Sequence, residues 1–337
     1  MNEQTTRRDD FLVVRDLKVH FPVTRGILKR TVGYVKAVDG VSFTIRQGET
    51  LGIVGESGSG KSTVGNGILR ATPYARGEII FDGVNYKDVD KAGMRRLRKR
   101  IQVVMQDPYS SLDPRMNVRD CISEGVRIHK TMSKAEADAR AEELLELVGI
   151  RRSFADRFPH EFSGGQRQRI CIARALAMEP EFIICDEVVS ALDVSIQAQV
   201  VTLLMEMQRM FGLTYIFIGH DLSVVRYISN NVAVMYLGKF MELTESETLY
   251  ENPLHPYTKA LISAAPIPDP RVDRVRERIL LTGEIPNPID PPAGCRFCTR
   301  CPFASDECRE TEPAFREVVR GHWVACHKVA EGGAWRG

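Results

Sequence analysis

Short apolar runs that alternate with amphipathic segments dominate the first 265 residues. The run Thr50–Val54 and residues 182–185 and 215–218 are apolar enough to be buried strands. Helical periodicity lies between such runs, most clearly over Val194–Phe211. Because strands that alternate with helices form parallel sheets covered on both faces, the pattern predicts an α/β fold with a doubly wound, mainly parallel sheet.

Other segments depart from this alternation. Residues 11–21 and 35–45 alternate apolar and polar positions, which is typical of half-buried antiparallel strands, and residues 77–83 predict a short strand that ends in an Asp-Gly turn. Residues 117–157 carry Ala, Glu and Leu at helical spacing. We therefore predict antiparallel strands ahead of the parallel sheet and a helical subdomain at about 110–178.

The texture of the chain changes beyond residue 263. Prolines interrupt every longer element there, at Pro266, Pro268, Pro270, Pro286, Pro288, Pro291 and Pro292. Five cysteines then lie between Cys295 and Cys326. The change predicts one domain over residues 1–265 and a small extension over 266–337.

Composition narrows the partners. The formal net charge of +2 gives no support for nucleic acid as a partner. No apolar stretch approaches the roughly 18 residues that span a bilayer, and the polar start is unlike a signal peptide, so we expect a cytoplasmic chain. In a reducing compartment, clustered thiols indicate a metal before they indicate disulfides.

A glycine-rich loop follows the strand Thr50–Val54. It matches the pattern G-x-x-x-x-G-K-[ST] with Gly55, Glu56, Ser57, Gly58, Ser59, Gly60, Lys61, Ser62 and Thr63. In this pattern backbone amides converge on a polyphosphate, the lysine adds charge at the β- and γ-phosphates, and the hydroxyl ligates Mg²⁺. We expect a nucleoside triphosphate here. Tyr34, at a strand start, either stacks on the adenine ring or is an ordinary surface tyrosine.

Polar side chains follow several of the predicted strands. Asp186 and Glu187 leave the strand at 182–185, where Asp186 suits Mg²⁺ and Glu187 suits the role of proton acceptor from the attacking water. Gln106, after a strand at 101–105, is expected to complete the Mg²⁺ shell, and His220, after 215–218, to orient the water. These side chains predict ATP hydrolysis.

Residues 162–166, Phe-Ser-Gly-Gly-Gln, form a second glycine-rich turn that ordinary phosphate-loop enzymes lack. With the phosphate loop and the strand-end residues, this turn resembles the signature of the ATP-binding subunits of ABC transporters. The resemblance implies a P-loop NTPase with a RecA-like, mainly parallel sheet and with antiparallel β and helical subdomains. It also implies head-to-tail dimers in which Ser163, Gly165 and Gln166 cover the γ-phosphate on the opposite chain. Phe162 replaces the usual leucine.

The extension narrows the resemblance. Residues 252–261, 294–302 and 109–114 resemble the dipeptide and oligopeptide importers. This implies peptide import at the cytoplasmic face of the membrane, with a sister ATPase chain, two transmembrane permease subunits and an extracytoplasmic substrate-binding protein as partners. Importers of nickel, glutathione or oligosaccharides share the tail. A soluble ABC ATPase acting on ribosomes or DNA is the opposing hypothesis, but only 103 positions separate Gly60 from Ser163, too few for the insert of such proteins.

The same resemblance implies a 4Fe-4S cluster on the tail cysteines. The family pattern falls on Cys295, Cys301, Cys308 and Cys326, while Cys298 stands where relatives commonly have histidine and is an alternative ligand. Zn²⁺ on four of the thiols and unliganded thiols are the other interpretations. Either metal would stabilise a segment with little core of its own.

Overall fold

The computed structural model describes residues 8–26, 30–73, 75–265 and 278–336. The chain packs as two compact units. Of the described residues, unit 1 contains Arg8 and Asp9, Arg46–Glu49 and Asp88–Gly219, and unit 2 contains those within Asp10–Ile45, Thr50–Lys87 and His220–Gly337. The predicted domain boundary borders residues 266–277, which lie outside the described residues, and it stays a prediction.

The elements follow one another along the chain in this order: β1 Leu12–Arg25, β2 Arg30–Ile45, β3 Thr50–Val54, α1 Lys61–Ile68, β4 Ala75–Phe81, β5 Val84–Asn85, α2 Lys91–Arg100, β6 Ile101–Val104, α3 Pro108–Ser111, α4 Val118–His129, α5 Lys134–Leu147, α6 Gly164–Leu176, β7 Phe182–Asp186, α7 Val194–Phe211, β8 Thr214–Ile218, α8 Leu222–Ile228, β9 Asn231–Tyr236, β10 Lys239–Glu245, α9 Ser246–Glu251, α10 Pro256–Ala264, α11 Asp306–Glu310, β11 Arg316–Val319 and β12 His322–Val324.

Unit 1 combines a parallel sheet with a group of helices. Strands β6, β7 and β8 pair in parallel in that order, and β7 and β8 are buried almost throughout. This confirms the parallel strands that the apolar runs predicted. The predicted helical stretch at 117–157 is formed by α4 and α5, each of which begins at a polar cap, Asn117 or Ser133.

Unit 2 contains an antiparallel sheet with the order β2-β1-β4-β5. The long pairing of β1 with β2 confirms the antiparallel strands predicted from residues 11–21 and 35–45. A second sheet of this unit has the order β11-β12-β10-β9-β3. Strand β12 pairs with β10 at Glu242 and Leu243, so the end of the chain extends the sheet that contains β3.

A buried carboxylate fixes this end of the chain. Glu242 accepts hydrogen bonds from the backbone amides of Leu254 and His255 and contacts His322 Nε2 at 2.7 Å. A buried charge needs such partners, because each unmet hydrogen bond would cost free energy. Among the described residues, none of the helices combines the length and apolar character needed to cross a bilayer.

Candidate functional site

The phosphate loop lies in unit 2, between β3 and α1. Gly55 and Gly60 both have positive φ, 155° and 107°. A β-carbon at Gly55 would lie 2.1 Å from the Met235 carbonyl oxygen, and one at Gly60 would lie 2.0 Å from that of Ala37. Only glycine fits at these two positions. They leave a backbone cradle at a helix N-terminus, which suits a polyphosphate.

Lys61 opens helix α1 and is buried. Its ammonium donates hydrogen bonds to the carbonyl oxygens of Gly55 and Glu56, at 2.9 and 3.0 Å. The charge is therefore held over the loop, as the sequence pattern requires. Ser62 and Thr63 follow in the first turn of the helix, Ser59 is buried, and Ser57 and Gly58 are exposed.

The structure brings His220 to this loop. His220 is exposed, and a cavity of about 360 Å³ is lined by His220, Gly55, Ser57 and Leu261. Tyr34 also belongs to unit 2, on strand β2 opposite Pro22, and is 52% exposed. Its ring is therefore available to a flat ligand.

The predicted acidic residues lie in unit 1 at the end of β7. Gln106 Nε2 donates to Glu187 Oε2 at 2.8 Å and to Ser190 Oγ at 3.3 Å, and the Ser190 hydroxyl donates to the Glu187 carbonyl oxygen at 2.9 Å. The Glu187 amide donates to Ile218 O on β8. Its φ of 49° is unusual for a residue with a side chain. The backbone is therefore strained at Glu187, and strain of this kind concentrates at functional sites.

The signature turn begins helix α6 in unit 1. Ser163 caps the helix: its hydroxyl accepts from the Gln166 amide, and the Gln166 side chain accepts from the Ser163 amide. A β-carbon at Gly165 would lie 2.5 Å from Ile196 Cγ2, so a larger residue would require the Ile196 side chain to shift. Phe162 is buried and packs against Phe154, which explains why an aromatic residue is accepted there. The exposed helix N-terminus is suited to an anion.

The cysteines of the extension lie in unit 2 as free thiols. Burial, followed by the effect of neighbouring thiols, raises the pKa of Cys295 to about 12 and that of Cys326 to about 11. Cys301 and Cys308 are close enough to influence each other and Cys298. However, no group of three or more Cys, His, Asp or Glu side chains in the described ranges is arranged to hold a metal. As placed, the thiols do not fit a metal ion, and the predicted cluster stays a prediction.

Two contacts of Glu56 with residues far along the chain, Tyr257 and Arg300, were not predicted. Its carboxylate binds Arg300, and its amide donates to the Tyr257 hydroxyl. Sequence pattern gives no signal for such contacts, since Arg300 is 244 positions away and the second residue of a phosphate loop is variable.

Comparisons with known proteins match both the region of the phosphate loop and the region of the cysteines. Residues 38–190 match the ABC transporter family, and residues 241–308 match the family described as "Oligopeptide/dipeptide transporter, C-terminal region". The chain is 54% identical over 321 residues to the oligopeptide transport ATP-binding protein AppF of Bacillus subtilis (strain 168), covering 95% of this chain and 98% of that protein.

Solved structures show the same fold. The cbiO1 protein from Clostridium perfringens, part of the ABC transporter complex cbiONQ, has a TM-score of 0.62 at 29% identity, covering 73% of this chain and 92% of that chain. The ATP-binding cassette MJ0796, a dimer in a post-hydrolysis state bound to ADP and Pi, has a TM-score of 0.60 at 26% identity, covering 70% and 98%.

Proposed function

This chain belongs to the oligopeptide/dipeptide family of ABC transporter ATP-binding proteins, and on that premise we propose which residues bind and hydrolyse ATP. The protein is the ATP-binding subunit of an oligopeptide import transporter, and it hydrolyses ATP to drive import. One observation carries this function: a single chain contains both the ATP-binding region and the extension of peptide transporters.

The nucleotide half-site that we propose is built on the phosphate loop. The amides of residues 55–63 hold the β- and γ-phosphates, Lys61 neutralises their charge, and Tyr34 stacks on adenine. Ser62, Gln106 and Asp186 are the side chains that would hold Mg²⁺, which would neutralise charge developing on the phosphates. The absence of room for β-carbons at Gly55 and Gly60 supports this assignment.

Glu187 is proposed as the group that accepts the proton of the attacking water. The Gln106 amide donates to its carboxylate, which keeps one oxygen oriented and leaves the other for the water. His220 is proposed to orient the same water at the γ-phosphate, and its place beside the phosphate loop supports that role.

The signature turn is proposed to serve the nucleotide of a neighbouring ATPase. Ser163, Gly165 and Gln166 begin a 13-residue helix whose positive end would face a γ-phosphate. The dimeric state of the MJ0796 cassette supports a paired arrangement. We propose a sister ATPase chain as the neighbour. Closure around ATP and opening after hydrolysis would then drive the membrane subunits.

The remaining partners follow from the transporter assignment. The chain is proposed to act at the cytoplasmic face of the membrane with two permease subunits, while an extracytoplasmic binding protein delivers the peptide. The cbiO1 protein, which is part of a transporter complex, supports assembly of this kind.

A metal on the cysteines is proposed as a further component. Four of the five thiols, either Cys295, Cys301, Cys308 and Cys326 or a set that includes Cys298, would bind a 4Fe-4S cluster or Zn²⁺ after rearrangement. The clustering of five thiols within residues 295–326, three of them buried, supports this. Protein purified without oxygen should contain iron and absorb at about 400 nm. Colourless protein that contains one zinc per chain would favour Zn²⁺. Protein that contains neither iron nor zinc would overturn the proposal.

Reconstitution of the chain with its permease subunits in proteoliposomes tests the function. ATP should drive uptake of a labelled oligopeptide, and Lys61→Ala should stop it. Uptake of nickel, glutathione or an oligosaccharide in place of peptide would overturn the cargo. Recovery of ribosomes or DNA with the tagged chain, and of no permease subunits, would overturn the transporter role.

A further inference from the structure

Glu56 is a point at which three separate contacts meet. Its carboxylate oxygens accept from Arg300 Nη1 and Nη2 at 2.7 and 3.1 Å. Its backbone amide donates to the Tyr257 hydroxyl at 3.0 Å, and its carbonyl oxygen accepts from the Lys61 ammonium at 3.0 Å. Side chain, amide and carbonyl of one loop residue are thus all held, and the third contact is to the lysine of the phosphate loop.

Arg300 lies between Cys298 and Cys301, in the stretch of residues 295–301 that we call the cysteine-rich turn. Its side chain is 9% exposed and that of Glu56 is 26% exposed, so the pair is largely shielded from water. Arg300 donates both hydrogen bonds to the Glu56 carboxylate, and these bonds raise the pKa of Arg300 above its ordinary value, so the guanidinium stays charged. The bidentate geometry is the strongest form of an Arg–carboxylate contact, and it fixes orientation as well as distance.

An aromatic cluster fastens the same turn. Phe297 is fully buried, with its ring centroid 5.3 Å from that of Tyr236 and 5.2 Å from that of Tyr257. Tyr257 is also the residue whose hydroxyl accepts from Glu56. The cysteine-rich turn therefore reaches the phosphate loop by two routes, directly through Arg300 and through the Phe297–Tyr257 contact.

A purely structural role does not explain the position of the Arg300–Glu56 pair. Shielded ion pairs contribute little net stability, because desolvation of the charges offsets their attraction. Stabilising the fold would also not require the pair to end on a residue whose carbonyl holds Lys61. The position of Glu56 decides where that carbonyl lies, and small displacements in a binding loop have large effects on bound ligands.

We propose that Arg300 is a positioning residue for ATP binding. Through Glu56 it holds the phosphate loop in the conformation that binds ATP. Bound ATP in turn stabilises the cysteine-rich turn. The inference rests on the proposed nucleotide site at residues 55–63. Because coupling between two sites is reciprocal, ATP binding must stabilise the turn as much as the turn stabilises bound ATP.

ATP affinity of the full-length chain, measured with a fluorescent ATP analogue, tests the first direction. Glu56→Gln and Arg300→Met should each weaken binding about fivefold, the lower end of typical coupling between sites. The double variant should be no weaker than either single variant, since both remove one interaction. Arg300→Lys, which keeps the charge, should recover part of the affinity.

Glu312→Gln is the matched control. Glu312 pairs with Lys239 at 2.5 Å and joins the same extension to β10 through an ion pair separate from that of Arg300 and Glu56. This variant should bind ATP like the wild-type chain. If Glu56→Gln and Arg300→Met lowered only the melting temperature and left ATP affinity unchanged, the positioning role would be wrong.

Hydrogen exchange tests the reverse direction. ATP should slow backbone exchange around residues 298–301 in the wild-type chain, and this protection should be lost in Glu56→Gln. Lys61→Ala distinguishes failure of the proposed nucleotide site from failure of the role of Arg300. If Lys61→Ala leaves ATP affinity unchanged, the proposed nucleotide site is wrong. If Lys61→Ala lowers ATP affinity but ATP does not slow exchange at residues 298–301 of the wild-type chain, only the role of Arg300 is wrong.

Discussion

The phosphate loop and the segment that follows β7 hold their functional residues by different means. In the phosphate loop, backbone crowding at Gly55 and Gly60 and contacts from Tyr257 and Arg300 leave little freedom. In the segment after β7, Glu187 is held mainly by side-chain contacts with Gln106 and by its own strained backbone. The phosphate loop therefore depends on packing by residues distant in the chain, whereas Glu187 depends on contacts within its own unit, and we expect the segment after β7 to keep its fold when Glu187 loses its charge.

The largest effect should come from Glu187→Gln. The amide keeps the shape of the side chain but accepts no proton, so ATP turnover in the reconstituted transporter should fall by about 10²–10⁴-fold while ATP binding persists. Glu181→Gln, which removes the Arg100 partner in the same unit, is the control and should leave turnover nearly unchanged. Turnover close to that of the wild type in Glu187→Gln would show that another group is the base.

Gly60→Ala should damage the phosphate loop through its backbone. The new β-carbon would lie 2.0 Å from the Ala37 carbonyl oxygen at a φ of 107°, so the loop has to move. We expect ATP binding to weaken by about 100-fold or more, since the strain and displacement amount to about 3 kcal/mol. Gly58→Ala is the matched variant, with a φ of 77° and nothing within 4 Å of the new carbon. Equal losses in both variants, measured by calorimetric titration with ATP, would contradict this reading of the loop.

His255, whose ring bonds the Tyr257 amide, should make the free energy of unfolding depend on pH. Burial lowers the pKa of His255 to about 4, and its Nδ1 accepts from the Tyr257 amide. Glu242 acts to raise this pKa and Lys259 to lower it, but burial has the largest effect. The unfolded chain takes up a proton as the pH falls below about 6.5 while the folded chain does not, so stability is lost between about pH 6.5 and pH 4.

At pH 5 this loss should be about 2 kcal/mol, measured by urea unfolding. His255→Asn keeps an acceptor for the Tyr257 amide and lacks the titrating ring, so its stability should fall less between pH 7 and pH 5. His160→Asn, at an exposed position of unit 1, should keep the wild-type pH dependence. An unchanged pH dependence in His255→Asn would refute the assignment.

The smallest effect concerns Tyr34, which is exposed and has no part in the packing around the phosphate loop. Loss of ring stacking in Tyr34→Ala should weaken ATP binding about three- to tenfold, as expected for about 0.5–1.5 kcal/mol, and Tyr34→Phe should bind as the wild type does. Tyr227→Ala, at another exposed tyrosine of unit 2, is the control. Equal affinity in Tyr34→Ala and the wild type would identify Tyr34 as an ordinary surface residue.

Much of the site was predictable because its signals are local. The phosphate loop needs glycine at positions that an eight-residue pattern specifies, and a capped helix start such as Ser163 with Gln166 is encoded within four residues. Apolar runs predict buried strands, and β7 and β8 lie where those runs predicted them. Gln106 and Glu187 lie within hydrogen-bonding distance because the strands that they follow, β6 and β7, are parallel neighbours.

The sequence by itself determined the α/β fold, the family and the order of the motifs, because hydrophobic period, turn chemistry and glycine spacing act over a few residues. Only the tertiary structure decided what Glu56 contacts. The partner, Arg300, lies 244 positions away and is brought there by packing of Phe297 and by pairing of β12 with β10. Nothing near Arg300 in the chain specifies a carboxylate, so this contact is fixed by the packing of buried aromatic rings rather than by any local pattern.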